Sequence, residues 1–67
     1  MNKERILEGV LYVRDTGLTN MFDKNAVQRI AFDNGYYETV MFIEEHTSDY
    51  VQLIMTGKFP DEIEEVA

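Results

Sequence analysis

His46 lies in an acidic segment between Glu45 and Asp49, and these side chains could in principle hold a metal ion or move a proton. Glu45 and Asp49 are four residues apart, so a helix would place them on one face with His46 nearby. A catalytic or metal site needs groups that converge on a pocket from different parts of the chain. One local cluster does not supply this, and we interpret the segment as a solvated, acidic helix end.

Other motifs for catalysis or ligand binding are incomplete. Cysteine is absent, and Ser48 lies two residues from His46 without a nucleophile-elbow pattern. Residues 23–25 begin like an EF-hand loop, but Val27 and Gln28 stand where an oxygen ligand and a glycine are needed. The four glycines are isolated, so there is no phosphate-binding loop. We therefore expect a protein that is not an enzyme, has no metal site and needs no cofactor.

Length and composition predict one small domain in a reducing compartment. A chain of 67 residues buries only about 60% of its unfolded surface, so its core is thin. The absence of cysteine excludes disulfides and fits the cytoplasm. The N-terminus does not resemble a signal peptide, and the longest apolar runs have four residues. We expect a soluble, cytoplasmic protein that does not bind membranes.

The charge is unevenly distributed along the chain. Residues 1–32 hold five basic and four acidic side chains, a net charge of +1, whereas residues 33–67 hold one lysine and nine carboxylates, a net charge of −8. Such a half repels phosphate backbones, so direct binding to nucleic acid is not expected. An acidic surface serves solubility, or it fits a partner with a basic groove.

Helical periodicity recurs through residues 1–57, and no segment alternates as a strand does. The first helix is predicted from residue 2 or 3 to 15, with an apolar face of Ile6, Leu7, Val10 and Leu11 and a stop at Gly17. Further helices are predicted from Asp23 to Asn34, from Tyr36 to His46, and from Thr47 or Ser48 to Gly57. The last two could equally form one bent helix.

These elements predict an all-α fold, a small bundle of three to four short helices built around a hairpin like a helix-turn-helix. The connector residues Leu18, Met21 and Phe22 are expected to pack onto the helices, because they are too apolar for a free loop. Residues 1–57 would form the domain, and residues 58–67 an acidic, loosely ordered tail.

The aromatic residues provide the better functional indication. Eight tyrosines and phenylalanines cannot all be interior in so small a fold, and tyrosine is favoured at interfaces. Combined with the acidic second half, this predicts a surface that binds a protein. Its candidate residues are Tyr36, Tyr37, Glu38, Phe42, Glu44, Glu45, Asp49 and Tyr50.

Nearly the whole chain resembles a family of small uncharacterised proteins from phages and prophages of Gram-positive bacteria, classed as a domain of unknown function. The resemblance rests on residues 19–32, TNMFDKNAVQRIAF, and on residues 35–37 and 43–46, with support from 2–7 and 54–57. The family brings no catalytic residues. It implies an accessory protein in an infected or lysogenic bacterium, and such small acidic proteins often bind and block a host protein.

Three functions remain open from the sequence. The first is a non-enzymatic protein-binding module that inhibits a host defence or nucleic-acid-handling enzyme. The second is a helix-turn-helix regulator, because Ala31, Gly35 and Met41 have its spacing, although its reading helix would offer DNA only acidic, aromatic and neutral residues, among them Tyr37, Glu38, Thr39 and Phe42. The third is a structural homodimer in a phage assembly.

Overall fold

A computed structural model describes residues 2–57, which form four helices and contain no strand. The helices are α1 (Lys3–Thr16), α2 (Lys24–Asp33), α3 (Tyr37–Glu45) and α4 (Thr47–Thr56). The predicted all-α bundle is therefore confirmed. The predicted tail, residues 58–67, lies outside the described residues.

Local capping chemistry sets where the first two helices begin. The side chain of Asn2 accepts hydrogen bonds from the backbone N–H groups of Glu4 and Arg5, and Asp23 accepts one from Ala26. These carbonyl and carboxylate oxygens satisfy amides that have no partner inside the helix. Both starts agree with the sequence-based prediction.

Left-handed glycines end two helices and make the turn that follows a third. Gly17 and Gly57 cap α1 and α4 at positive φ, and Gly35 follows the end of α2 at a φ of 83°. Only glycine adopts this conformation without a steric penalty. The turn from α2 to α3 is consequently tight, as predicted for a helical hairpin.

α3 and α4 are separate helices rather than one bent helix, with His46 alone between them. No side chain caps the start of α4. The sequence predicts Thr47 or Ser48 as this cap, and the prediction is wrong: the hydroxyl of Thr47 donates instead to the carbonyl oxygen of Ile43, 2.8 Å away. The ring of His46 stacks on Phe42, with centroids 5.8 Å apart, and this contact fixes the junction.

The core is assembled around α3, which packs against each of the other three helices. Within residues 2–57, the backbone of α4 comes close to that of α3 and of no other helix, and its side chains Tyr50 and Leu53 reach the shared core. The buried apolar residues come from all four helices: Ile6, Val10, Val13, Val27, Ala31, Phe42, Ile43, Tyr50 and Leu53. The inner face of α3 therefore forms the centre of the core, and its outer face does not take part in packing the helices together.

The predicted inner face of α1 is only partly correct, because two of its four residues are not buried. Ile6, Val10 and Val13 are buried, whereas Leu7 and Leu11 keep 36% and 37% of their surface exposed. The reason is Gly9, which lies at the close crossing of α1 and α3. A Cβ at Gly9 would meet the Cβ of Tyr36 at 2.8 Å and that of Thr39 at 2.9 Å.

Thr39 completes this crossing from the α3 side. It is fully buried, and its hydroxyl donates to the backbone carbonyl of Ile6 at 3.0 Å. A buried hydroxyl needs such a partner to offset its desolvation. The crossing therefore combines close backbone approach with one buried hydrogen bond.

The connector between α1 and α2 is only partly packed. Met21 lies against the core, as expected, but Leu18 and Phe22 are exposed, so the prediction for these two is wrong. Phe22 accordingly does not bury itself over the start of α2. The carbonyl oxygen of Met21 accepts a hydrogen bond from the hydroxyl of Tyr50 at 2.6 Å, which fastens α4 to the connector.

Candidate protein-binding surface

The predicted binding residues divide into buried, internally engaged and exposed groups. Phe42 and Tyr50 have no exposed surface, so the structure places both in the core and not on the surface where a partner would contact them. Both are large, mainly apolar side chains, and a small fold fills its core with them. Burial also raises the pKa of Tyr50 to about 12, because the phenolate form would be desolvated.

Tyr36 and Glu38 are turned towards α1. The Tyr36 ring lies 5.0 Å from the guanidinium carbon of Arg5 and 5.4 Å from the Tyr12 ring. The carboxylate of Glu38 accepts the backbone N–H of Asn2 at 2.7 Å. These two side chains join the start of α1 to the start of α3, and neither is freely available to a partner.

Asp49 is also engaged within the chain. Its carboxylate lies 3.6 Å from Nδ1 of His46 and is mostly covered. It belongs to the first turn of α4, where a negative charge is favoured by the helix dipole. Asp49 therefore stabilises the junction between α3 and α4.

The exposed members lie on the outer face of α3. Tyr37, Glu44 and Glu45 point away from the core, and Met41 lies between them at helical spacing with 49% of its surface exposed. Phe32 of α2 extends this face, because its ring contacts Tyr37 edge to face at 5.3 Å. We call this set, Phe32, Tyr37, Met41, Glu44 and Glu45, the outer strip.

Gln28 holds the two helices of the outer strip in register. Its side-chain amide donates to the carbonyl oxygen of Val40 at 3.0 Å and to the carboxylate of Glu44 at 3.2 Å. α2 and α3 therefore present one continuous surface, with aromatic rings at one end and carboxylates at the other.

Sequence reasoning missed Phe32 and Met41 as surface residues. Phe32, near the end of α2, is 58% exposed. The signal for Met41 was present, since four consecutive apolar residues at 40–43 cannot all face inward on a helix of nine residues. Spacing from Tyr37 to Met41 and Glu45 marks the outward face.

The outer strip is electrostatically one-sided. Residues 33–57 contain five carboxylates and no lysine or arginine, whereas α2, which supplies Phe32, carries the exposed cations Lys24 and Arg29. Close contacts between basic and acidic side chains among residues 2–57 include Arg5–Glu8, Arg14–Asp15 and His46–Asp49, the last being an ion pair only when His46 is protonated. Neither Glu44 nor Glu45 belongs to them. The Gln28 amide that donates to Glu44 is neutral, so the charges of both carboxylates are left unpaired within the described residues.

The described residues also bear on three other kinds of site, namely a metal site, a membrane span and a DNA-reading helix. Among residues 2–57 no three metal-ligating side chains come together, and no helix is long and apolar enough to cross a membrane. The four residues expected to face DNA in a helix-turn-helix include Thr39 and Phe42, and both are buried. Met41, which has the spacing of that motif, is exposed instead of packed in the hairpin.

The chain belongs to the family described as Domain of unknown function (DUF5049), whose model matches residues 1–58. This match covers most of the 67 residues. No curated protein and no solved structure matches the chain. The match therefore establishes the family of the chain, and the description of that family assigns no function.

Proposed function

We propose that the protein is a non-enzymatic module that binds a protein partner through the outer strip. In its fuller form, the proposal is an accessory protein of phages or prophages of Gram-positive bacteria that works in the host cytoplasm. There it inhibits a host defence or nucleic-acid-handling enzyme whose groove is basic. The fuller form rests on the resemblance and on charge complementarity.

The observation that supports binding is the composition of the outer strip. Tyrosine, phenylalanine and methionine are enriched at the centres of protein interfaces, and charged residues at their rims. Tyr37 and Met41 give such a centre, and Glu44 and Glu45 give one rim. None of the side chains of the outer strip belongs to the core, so a partner can cover the strip without rearranging the fold.

The charge of the outer strip favours a different protein over a second copy as the partner. A two-fold symmetric dimer brings the same patch of both chains together. Glu44 and Glu45 of both chains would then enter one interface to which the outer strip brings no cation, and burying carboxylates without a counter-charge is unfavourable. A basic partner supplies this counter-charge.

Affinity capture from a bacterial host with mass spectrometry tests the proposal. Met41→Ala in the outer strip is compared with Met55→Ala, a matched control on an exposed methionine of α4. Glu45→Lys is compared with Asp15→Lys, which makes the same change of net charge on α1. We expect both strip variants to lose the captured protein and both controls to keep it.

These positions are chosen so that loss of binding is not loss of folding. Glu38→Lys would break the contact with Asn2, and an Asp49 variant would disturb the α3–α4 junction. Glu45 has no such contact, and circular dichroism of each variant should match the wild type. Retention of the same partner by Glu45→Lys and Met41→Ala would refute a role for the outer strip.

A further inference from the structure

Arg5 shows how a guanidinium is held by an aromatic ring and a carboxylate together. The guanidinium carbon of Arg5 lies 5.0 Å from the centre of the Tyr36 ring, and its Nη1 donates to Glu8 at 3.0 Å. Its Nη2 also reaches the carbonyl oxygen of Gly35 at 3.5 Å. A planar, weakly hydrated guanidinium suits this combination better than an ammonium group does.

The outer strip also contains aromatic rings and carboxylates, but none of its own residues is a cation that could contact them. The Phe32 and Tyr37 rings meet at 64°, both are more than half exposed, and the carboxylates of Glu44 and Glu45 follow two turns along α3. Neither carboxylate forms an ion pair with a lysine or arginine of residues 2–57. The surface therefore offers an aromatic stacking site and a separate pairing site to a positively charged partner.

We infer that the partner places an arginine-bearing amphipathic helix along the outer strip, and this inference rests on the proposed function. One guanidinium stacks on the Phe32 and Tyr37 rings, a second pairs with Glu44 and Glu45, and apolar side chains between them cover Met41. From Tyr37 to Glu45 the axis of α3 advances about 12 Å, at about 1.5 Å per residue. Two arginines seven residues apart on the partner helix span a similar distance.

Charge complementarity selects this occupant. An acidic or neutral helix would leave Glu44 and Glu45 desolvated without a counter-charge, which is unfavourable. A lysine helix would satisfy the carboxylates but would stack poorly, because the ammonium group is compact and strongly hydrated. The aromatic end of the strip is therefore what distinguishes arginine from lysine.

Three synthetic helical peptides of identical apolar face test the inference against the ¹⁵N-labelled full chain. The first carries arginine at two positions seven residues apart, the second lysine, and the third citrulline, which keeps the shape of arginine without its charge. We expect the arginine peptide to shift the backbone amides of Tyr37, Met41 and Glu45. It should bind about threefold to fivefold more tightly than the lysine peptide at equal ionic strength, and the citrulline peptide should bind most weakly.

A Tyr37→Leu variant sharpens the test, because it keeps apolar area and removes the ring. We expect it to abolish the preference for arginine over lysine while leaving the weaker lysine binding in place. Tyr37 is exposed and outside the core, so the variant should fold normally.

The outcomes separate this inference from the proposed function. Equal binding of the arginine and lysine peptides at the outer strip overturns arginine recognition and supports an acidic docking surface. Shifts that map to another face, or no shifts with any peptide, overturn the arginine-bearing helix as the occupant. The proposed function is then judged by capture with the Met41→Ala and Met55→Ala pair.

Discussion

Gly9→Ala is the substitution that most directly tests the packing of α1 on α3. In an exposed helix, alanine would favour folding by about 0.5–1 kcal/mol relative to glycine. At Gly9, however, the new methyl group would lie 2.8 Å from the Cβ of Tyr36 and 2.9 Å from that of Thr39, and it would overlap the Thr39 hydroxyl. Cβ atoms are fixed to their backbone, so the helices themselves must separate.

The balance of these effects is a loss of stability. Overpacking a core costs typically about 1–3 kcal/mol, and displacement of Thr39 also weakens its hydrogen bond to Ile6, worth about 1 kcal/mol. After the gain in helix propensity, we expect a net loss of about 1–3 kcal/mol. A core of this size supplies only about 3–5 kcal/mol, so a measurable fraction of the variant should be unfolded at room temperature.

Urea unfolding followed by circular dichroism at 222 nm measures this loss, and a double-mutant cycle with Thr39→Ala locates it. Removing the Thr39 hydroxyl and methyl group leaves more space for a side chain at Gly9. The substitution at Gly9 should therefore cost less in the Thr39→Ala background than in the wild type. A Gly9→Ala protein as stable as the wild type, or additive behaviour in the cycle, would refute the close crossing described above.

Two further predictions concern Tyr50 and Asn2. Burial raises the pKa of Tyr50 to about 12, against about 10 in an unfolded chain. The folded chain therefore keeps the phenol proton more tightly than the unfolded chain does. The resulting stabilisation is complete below pH 10, and the free energy of unfolding falls by up to about 2–3 kcal/mol as the pH rises to 12. Tyr50→Phe should lower the free energy of unfolding at pH 7 by about 1 kcal/mol, because the hydrogen bond to Met21 is lost. The variant should also lose less stability than the wild type between pH 10 and 12. An unchanged dependence of stability on pH would contradict the raised pKa of Tyr50. Asn2→Ala should cost about 1 kcal/mol by uncapping α1, whereas Asn25→Ala, at an exposed position that caps no helix, should cost clearly less in the same thermal unfolding experiment.

Helix boundaries were predictable because they depend on local chemistry. The side chains of Asn2 and Asp23 accept hydrogen bonds from backbone amides within three residues along the chain. The positive φ that ends helices or makes turns occurs at Gly17, Gly35 and Gly57. Such signals need no knowledge of the rest of the fold. The start of α4 was the exception, because the Thr47 hydroxyl has a competing acceptor one turn earlier, the carbonyl of Ile43.

The sorting of side chains into core and surface was less predictable. Phe42 and Tyr50 were expected at an interface, yet both are core residues, since composition counts aromatic residues without saying which ones the helices enclose. The bond from Glu38 to Asn2 joins residues 36 positions apart, and no local pattern indicates it. Gly9 did carry a signal, because a glycine inside a helix often marks a close approach of another element.

Exposed apolar residues alone would be weak support for a binding surface in so small a chain. A domain of 67 residues cannot cover all of its apolar side chains, and Leu18 and Met55 are exposed well beyond half of their surface. Phe32, Tyr37 and Met41 differ because they are contiguous: the first two rings touch, and Met41 lies one helical turn beyond Tyr37. They also adjoin Glu44 and Glu45, neither of which forms an ion pair with a lysine or arginine of the described residues. Since none of these side chains belongs to the core, substitutions in the outer strip should change binding while leaving the free energy of unfolding within about 0.5 kcal/mol of the wild type.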